Sequence, residues 1–240
     1  MFAPQVDGFL KAMLNDLDSV RALAGDRTVA VMIKPIQGEA GVVPATSEFL
    51  IALREWTTRE GLLMIFDEVQ TGVGRTGRGF AFEHSGVMPD ILTLGKGIGG
   101  GVPLAALLAS DRAAVFEHGD EGGTYSGHAL MTAVGLAVVN EVLTARFLAE
   151  VCRRGALLTD RLESLDKRYN LTIRGMGLLL AIDLARPIAG ALVEQLREAE
   201  AVLVNSPRPH LLRLMPALNV TEGSIERFCG ALDRVLRRLL

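Results

Sequence analysis

Four short apolar runs, at 29–33, 62–66, 91–94 and 104–108, stand apart from one another in the first half of the chain. Runs of four or five apolar residues suit strands covered on both faces. A helical segment separates the first two. Thr46 or Ser47 is placed to cap it, Phe49, Leu53 and Trp56 recur at helical spacing, and Gly61 stands just past its end. Short strands alternating with helix and loop predict an α/β fold with a largely parallel sheet. The composition shifts after about residue 130. Helices are expected over 130–143, 147–166 and 189–200, with short strands near 171–174, 178–184, 201–204 and 211–214. A closing helix starts at Thr221, an N-cap residue, and its apolar face is Ile225, Phe228, Leu232, Val235, Leu236 and Leu239. The expected division is a mostly parallel unit over 1–135 and a smaller α+β unit over 136–240.

Charge and composition exclude several classes of function. With 25 Lys and Arg against 28 Asp and Glu, the net charge of −3 leaves no basic footprint for nucleic acid. No apolar run reaches the roughly 18 residues that a membrane span needs. The opening MFAPQVDGFL lacks the basic and apolar regions of a signal peptide. Cys152 and Cys229 are too few for a disulfide framework and read as buried thiols in a reducing cytoplasm. His84, His118, His128 and His210 lack ligand spacing, so no metal is expected.

Glycine is concentrated in two places. Gly72-Val-Gly74-Arg-Thr-Gly77 and Gly95-Lys96-Gly97-Ile98-Gly99-Gly100 both match G-x-G-x-x-G. A dinucleotide site also needs a helix opening on the last glycine. GFAFEHSG follows the first match and GVPLAALLA the second, and neither reads as a helix. The phosphate loop G-x-x-x-x-G-K-[ST] fails because Gly97 follows Lys96.

A lone lysine among glycines points elsewhere. Lys96 sits just past a strand end, where open α/β sheets place their chemistry. Flanking glycines let the backbone approach a flat ligand, and an amine there can condense with a carbonyl. Asp67 ends the preceding apolar run. A carboxylate at the end of a buried strand is costly to ionise without a cation or donors. The protonated ring of pyridoxal phosphate is a suitable partner, and a carboxylate that keeps the ring cationic lets it absorb carbanion electrons. To act as a base, Lys96 must be partly neutral, so burial around it is expected.

Four stretches in order carry a family resemblance: PIQGEAGVVP (35–44), IFDEVQTGVGRTG (65–77), PDILTLGKGIGGGVP (89–103) and GGTYSGH (122–128). They resemble the class III aminotransferases, most of all those of the acetylornithine and ornithine type. RGMGLLLAIDL (174–184) and LLRLMPALNV (211–220) resemble the small domain of that family. The resemblance implies part of a fold-type I pyridoxal-phosphate transferase large domain over 1–135, followed by the small C-terminal domain over 136–240. It implies that Lys96 holds pyridoxal 5'-phosphate as an imine and shuttles the proton. It implies that Asp67 faces the pyridine nitrogen, that Val69 packs on the ring and that Gln70 bonds the ring hydroxyl. Thr124 would reach the cofactor phosphate of the neighbouring subunit of a homodimer. Glu39 would help switch between amino donors, and Arg213 would grip a substrate carboxylate, a role that suits a bidentate guanidinium.

The implied activity is amino transfer from an acetylornithine- or ornithine-type donor to 2-oxoglutarate, in cytoplasmic amino-acid metabolism such as arginine biosynthesis. Family members are longer, and the resemblance implies that this chain matches their C-terminal portion. A second reading therefore stands beside the first: a non-catalytic remnant or an assembly partner of such an enzyme. Three local departures are Lys34, where the family usually has glutamate before Pro35, His128, where it usually has asparagine, and Leu130, where a longer run of small residues is expected.

Overall fold

The structure is a computed structural model, and it describes residues 6–240. Helix α1 (Leu17–Leu23) opens on Asp16, whose carboxylate accepts from the Ser19 amide at 2.9 Å. Strand β1 (Ala30–Ile33) follows, then the short antiparallel pair β2 (Ile36–Gln37) and β3 (Val43–Pro44). Of the two candidate caps for α2 (Ser47–Arg59), Thr46 is the one used: its hydroxyl accepts from the Phe49 amide at 3.2 Å. Gly61, at φ +72°, turns the chain out of the helix into β4 (Leu63–Asp67). Strands β5 (Ile91–Leu94) and β6 (Ala106–Ala109) complete a sheet of order β1-β4-β5-β6.

The pairings β1/β4 and β4/β5 are parallel, and β5/β6 is antiparallel. The last strand thus starts later than expected and runs the other way. The residues between β5 and β6 hold only the short 3-10 turn Lys96–Gly99 and no crossover helix of the kind that returns a chain parallel. Register sets the level at which the parallel strands end. Ile33 pairs with Phe66 and Asp67 pairs with Thr93, so β1, β4 and β5 end together. Residues 34, 67 and 95–96 therefore emerge side by side. Met64 and Phe66 of β4 are fully buried in a core shared with Leu53 and Trp56 of α2.

Helix α3 (Ala129–Val142) adds Val138, Val139 and Val142 to this first core. Its Leu130 and Leu136 are exposed. Helix α4 (Ala145–Tyr169) begins a second core, capped by Thr144 and ended by Asn170 at φ +55°. Strands β7 (Thr172–Met176) and β8 (Leu179–Asp183), helix α5 (Ala189–Glu200), strands β9 (Asn205–Arg208) and β10 (Leu211–Leu214) and helix α6 (Glu222–Leu239) follow. Their sheet, β7-β8-β10-β9, is antiparallel throughout. Leu158, Leu162, Ile182, Leu192, Leu212 and Leu232 fill its core. Thr221 caps α6 as expected, at 3.1 Å from the Ser224 amide.

The expected strand at 201–204 is displaced to β9. Ala201 takes the left-handed conformation that ends α5, at φ +52°, so the chain is still leaving the helix there. The cysteines also divide. Cys229 is buried, and desolvation pushes its thiol up to about 12. Cys152 is exposed and its thiol donates to the Gly77 carbonyl at 3.3 Å. Cys152 was expected to be buried like Cys229, but its flank of α4 meets the loop of the first unit instead of the second core.

Arg75 is one of the cations that join the two units. The Arg75 guanidinium donates to the carbonyls of Leu178 at 3.0 Å and Pro216 at 2.6 Å, and the Leu178 amide donates back to the Arg75 carbonyl at 3.0 Å. Gly177, at φ +55°, lies so near that a Cβ would stand 2.5 Å from the Thr76 carbonyl carbon. Burial pulls Arg75 down to about 10, which leaves it charged at neutral pH. Among the described residues no single helix is long and apolar enough to cross a membrane.

Candidate functional site

Asp67 stands at the C-terminal end of β4, and both its oxygens are engaged. Oδ1 accepts from the Val69 amide at 3.1 Å, and Oδ2 accepts from the Lys34 ammonium. Asp67 is 17% exposed and Lys34 46%. A fixed backbone donor therefore holds one oxygen, and a mobile, half-exposed amine holds the other.

Lys96 stands at the end of the neighbouring strand, as the first residue of a 3-10 turn, Lys96–Gly99. Its φ of +47° is left-handed, which a non-glycine residue adopts only where the surroundings impose it. The side chain is exposed, not buried as expected. The glycines that open the backbone to a ligand also leave the lysine uncovered. Val69 lies against the same turn: a Cβ on Gly95 would stand 3.1 Å from its Cγ1. Glycine at 95 thus lets Val69 pack directly on the backbone of the lysine turn.

Gln70 turns toward the loop after β2. A Cβ on Gly38 would fall 1.7 Å from its Oε1, so only glycine fits at 38 with Gln70 in this place. The Gln70 amide donates to the Met215 sulfur at 3.4 Å. Beside Gly38, the Glu39 carboxylate accepts from Arg213 of β10 at 2.5 Å. Arg213 is 13% exposed and Glu39 76%, so the arginine is held and the glutamate is free to swing. Arg174 of β7 donates to the Gly41 carbonyl at 2.7 Å, which pins the same loop to the second unit.

The structure thus gathers Glu39, Asp67, Val69, Gln70, Lys96 and Arg213 around the ends of the parallel strands. Thr124 is not tied to them. It lies exposed in the turn 124–127, and no hydrogen bond among the described residues links it to Asp67, Gln70 or Lys96. The donor set fits a flat, cationic ring that bears an aldehyde. Asp67 is a carboxylate that already binds a cation, Val69 packs beside it on Gly95, and Lys96 places an amine-bearing residue at the adjacent strand end. Among the described residues no group of three or more His, Cys, Asp or Glu could hold a metal ion.

Sequence reasoning passed over Glu68. It is buried, and it accepts from the Ala81 amide at 2.6 Å, the Phe82 amide at 2.8 Å and the Thr71 hydroxyl at 3.0 Å. It anchors the short turn Ala81–His84, and its only sequence signal was its place beside Asp67. Burial pushes its carboxyl up from the usual glutamate range, against the pull of those donors. Between the ordinary glutamate pKa and the raised one, the folded chain binds more protons than the unfolded one, so Glu68 contributes less stability as pH rises through that window. Glu68→Gln is expected to flatten this part of the profile, measured as urea midpoints at a series of pH values. An identical slope in the two chains would remove the assignment. Glu68→Ala orphans three donors and is expected to cost at least about 2 kcal/mol.

Comparison with known proteins adds a family model, Aminotransferase class-III, that matches residues 2–236. An acetylornithine aminotransferase of Ralstonia nicotianae is 54% identical over 240 residues, covering 99% of this chain and 60% of the relative. Acetylornithine aminotransferase 2 of Bordetella pertussis is 54% identical over 239 residues, with 98% and 60% covered. Among solved structures, the acetylornithine aminotransferase of Elizabethkingia anophelis superposes with a TM-score of 0.89 at 32% identity, over 97% of this chain and 63% of that one. The ornithine aminotransferase of Toxoplasma gondii ME49 gives 0.90 at 29%, over 99% and 58%. The chain spans about 60% of the length of the curated relatives it matches, and corresponds to their C-terminal portion.

Proposed function

The chain belongs to the class III aminotransferases, and we propose that it serves a pyridoxal 5'-phosphate-dependent transfer of an amino group from an acetylornithine- or ornithine-type donor to 2-oxoglutarate. The carrying observation is the parallel register that sets Asp67 and Lys96 at the ends of adjacent strands. Asp67 would hold the ring nitrogen, Val69 the ring face, Gln70 the ring hydroxyl and Lys96 the aldehyde carbon. When bound, that cofactor supplies an electron sink for a carbanion. Lys96 moves the proton at its Nζ, and its exposed turn gives the amine room to swing clear and return. The Val69 amide holds one Asp67 oxygen in place and leaves the other to face the ring.

Arg213 orients a substrate carboxylate from the β10 side, and Glu39 leaves it when that anion arrives. Arg213→Lys keeps the charge but loses the fork. It is expected to lower kcat/KM roughly 10- to 100-fold, mostly through KM. Steady-state rates with varied 2-oxoglutarate measure this, and an unchanged KM would contradict the role. We further propose a cytoplasmic homodimer in which Thr124 serves the partner's cofactor phosphate. Its turn, free of bonds to its own site, agrees with that. The proposed units are 1–135 and 136–240, each with a sheet and core of its own, although α3 crosses that border and packs on the first.

The proposal is tested by supplying the chain with pyridoxal 5'-phosphate, acetylornithine and 2-oxoglutarate and measuring glutamate. Binding of the cofactor without glutamate formation from acetylornithine, ornithine or 4-aminobutyrate would overturn the activity for this chain.

A further inference from the structure

Lys34 follows β1, and its place in the register is level with Asp67 at the end of β4. Its ammonium sits on Asp67 Oδ2, the one carboxylate oxygen that no backbone donor holds. That oxygen is also the one left for the nitrogen of a bound ring. Two cations thus contend for one acceptor. We propose that Lys34 is a built-in competitor for Asp67: it neutralises the carboxylate while the site is empty and weakens the hold on the cofactor when it is loaded. This inference rests on the pyridoxal-phosphate reading given above.

The competition is electrostatic. An aspartate only 17% exposed, with a single amide donor, is poorly solvated as an anion. Lys34 supplies the missing positive charge, so it stabilises the empty site. An incoming protonated ring must either displace the ammonium or share the carboxylate with it. Displacement forfeits the ion pair, and sharing sets two positive charges side by side. Both routes lower affinity. Lys34 is 46% exposed on a flexible stem, so it can withdraw into water, and the penalty stays moderate. Lys34 touches no reacting atom, and it acts on the ring only through Asp67. It is a positioning residue with opposite effects on the two states.

The test uses the full chain, with Lys34→Met and Lys34→Gln as independent variants. Two probes are titrated by absorbance: pyridoxal 5'-phosphate, and its analogue with carbon in place of the ring nitrogen. Each variant is expected to bind the cofactor about three- to tenfold more tightly at low salt. The gain should shrink near 1 M salt, where charges are screened within about 3 Å. Affinity for the carbon analogue should change less than about twofold, because that ring carries no charge to contend with. The melting midpoint of the cofactor-free variants should fall by roughly 1–2 °C. A merely structural lysine would move both probes together. Equal or weaker cofactor binding in both variants, or equal tightening of both probes, would overturn the inference alone. If pyridoxal 5'-phosphate binds neither the parent chain nor the variants, the cofactor reading fails and the inference with it.

Discussion

Lys96→Ala is expected to abolish the covalent adduct that borohydride fixes when the chain is mixed with pyridoxal 5'-phosphate. The sequence holds only four lysines, at 11, 34, 96 and 167, so adducts can be mapped by peptide mass without ambiguity. Lys11 and Lys167 are exposed, and Lys167 lies on α4 in the second unit. Lys34 is engaged by Asp67. Lys96 alone combines a strand end, flanking glycines and an imposed left-handed backbone. The parent chain should carry one label, on the peptide containing Lys96. Amino transfer by the alanine variant should fall at least about 10³-fold, because the proposed proton carrier and covalent anchor vanish together. Alanine bears the same left-handed strain as lysine, so the two chains should melt within about 0.5 kcal/mol of each other. A variant that keeps the adduct at the parent yield would show that another amine is the anchor, and the peptide map would name it.

The second large effect is expected at Arg75. Arg75→Ala removes two donors at once and leaves the carbonyls of Leu178 and Pro216 facing a void. Each unpaired acceptor costs about 1–3 kcal/mol, so a loss of roughly 2–6 kcal/mol is expected for the two. The seam between the units should also weaken, so that urea unfolding separates into two phases. Pro216 lies just after β10, which carries Arg213, so a looser seam should raise KM for the oxo acid as well. Both bonds leave from one nitrogen, Nη1, so Arg75→Lys keeps enough N–H groups for the two carbonyls, on a shorter stem. It should recover part of the loss. A stability within about 0.5 kcal/mol of the parent in Arg75→Ala would dismiss the seam as an energetic feature.

Local chemistry was legible in the sequence wherever one residue decides the outcome. Thr46 and Thr221 marked helix starts because their hydroxyls satisfy free amides of the first turn, and Gly61 marked an end because it accepts a positive φ. Asp67 and Lys96 stood out because a charge that closes an apolar run needs a reason. What stayed hidden depends on residues far apart. Nothing local pairs Lys34 with Asp67, joins Arg75 to Pro216 or turns Gln70 against Gly38. The direction of β6 escaped for a related cause: apolar runs report burial but not orientation, and here the lack of a crossover helix between the runs goes with the antiparallel return. The exposure of Lys96 was misjudged because glycines open space for solvent as readily as for a ligand.

The grip of Arg75 has an evolutionary corollary. It closes on backbone oxygens, so the identities of residues 178 and 216 do not enter into it. Those two positions are free to drift as far as the latch is concerned, while the arginine is not. A mutational scan should show that asymmetry at Pro216, tolerant where Arg75 is not, whereas Leu178 is held by its own burial in the core.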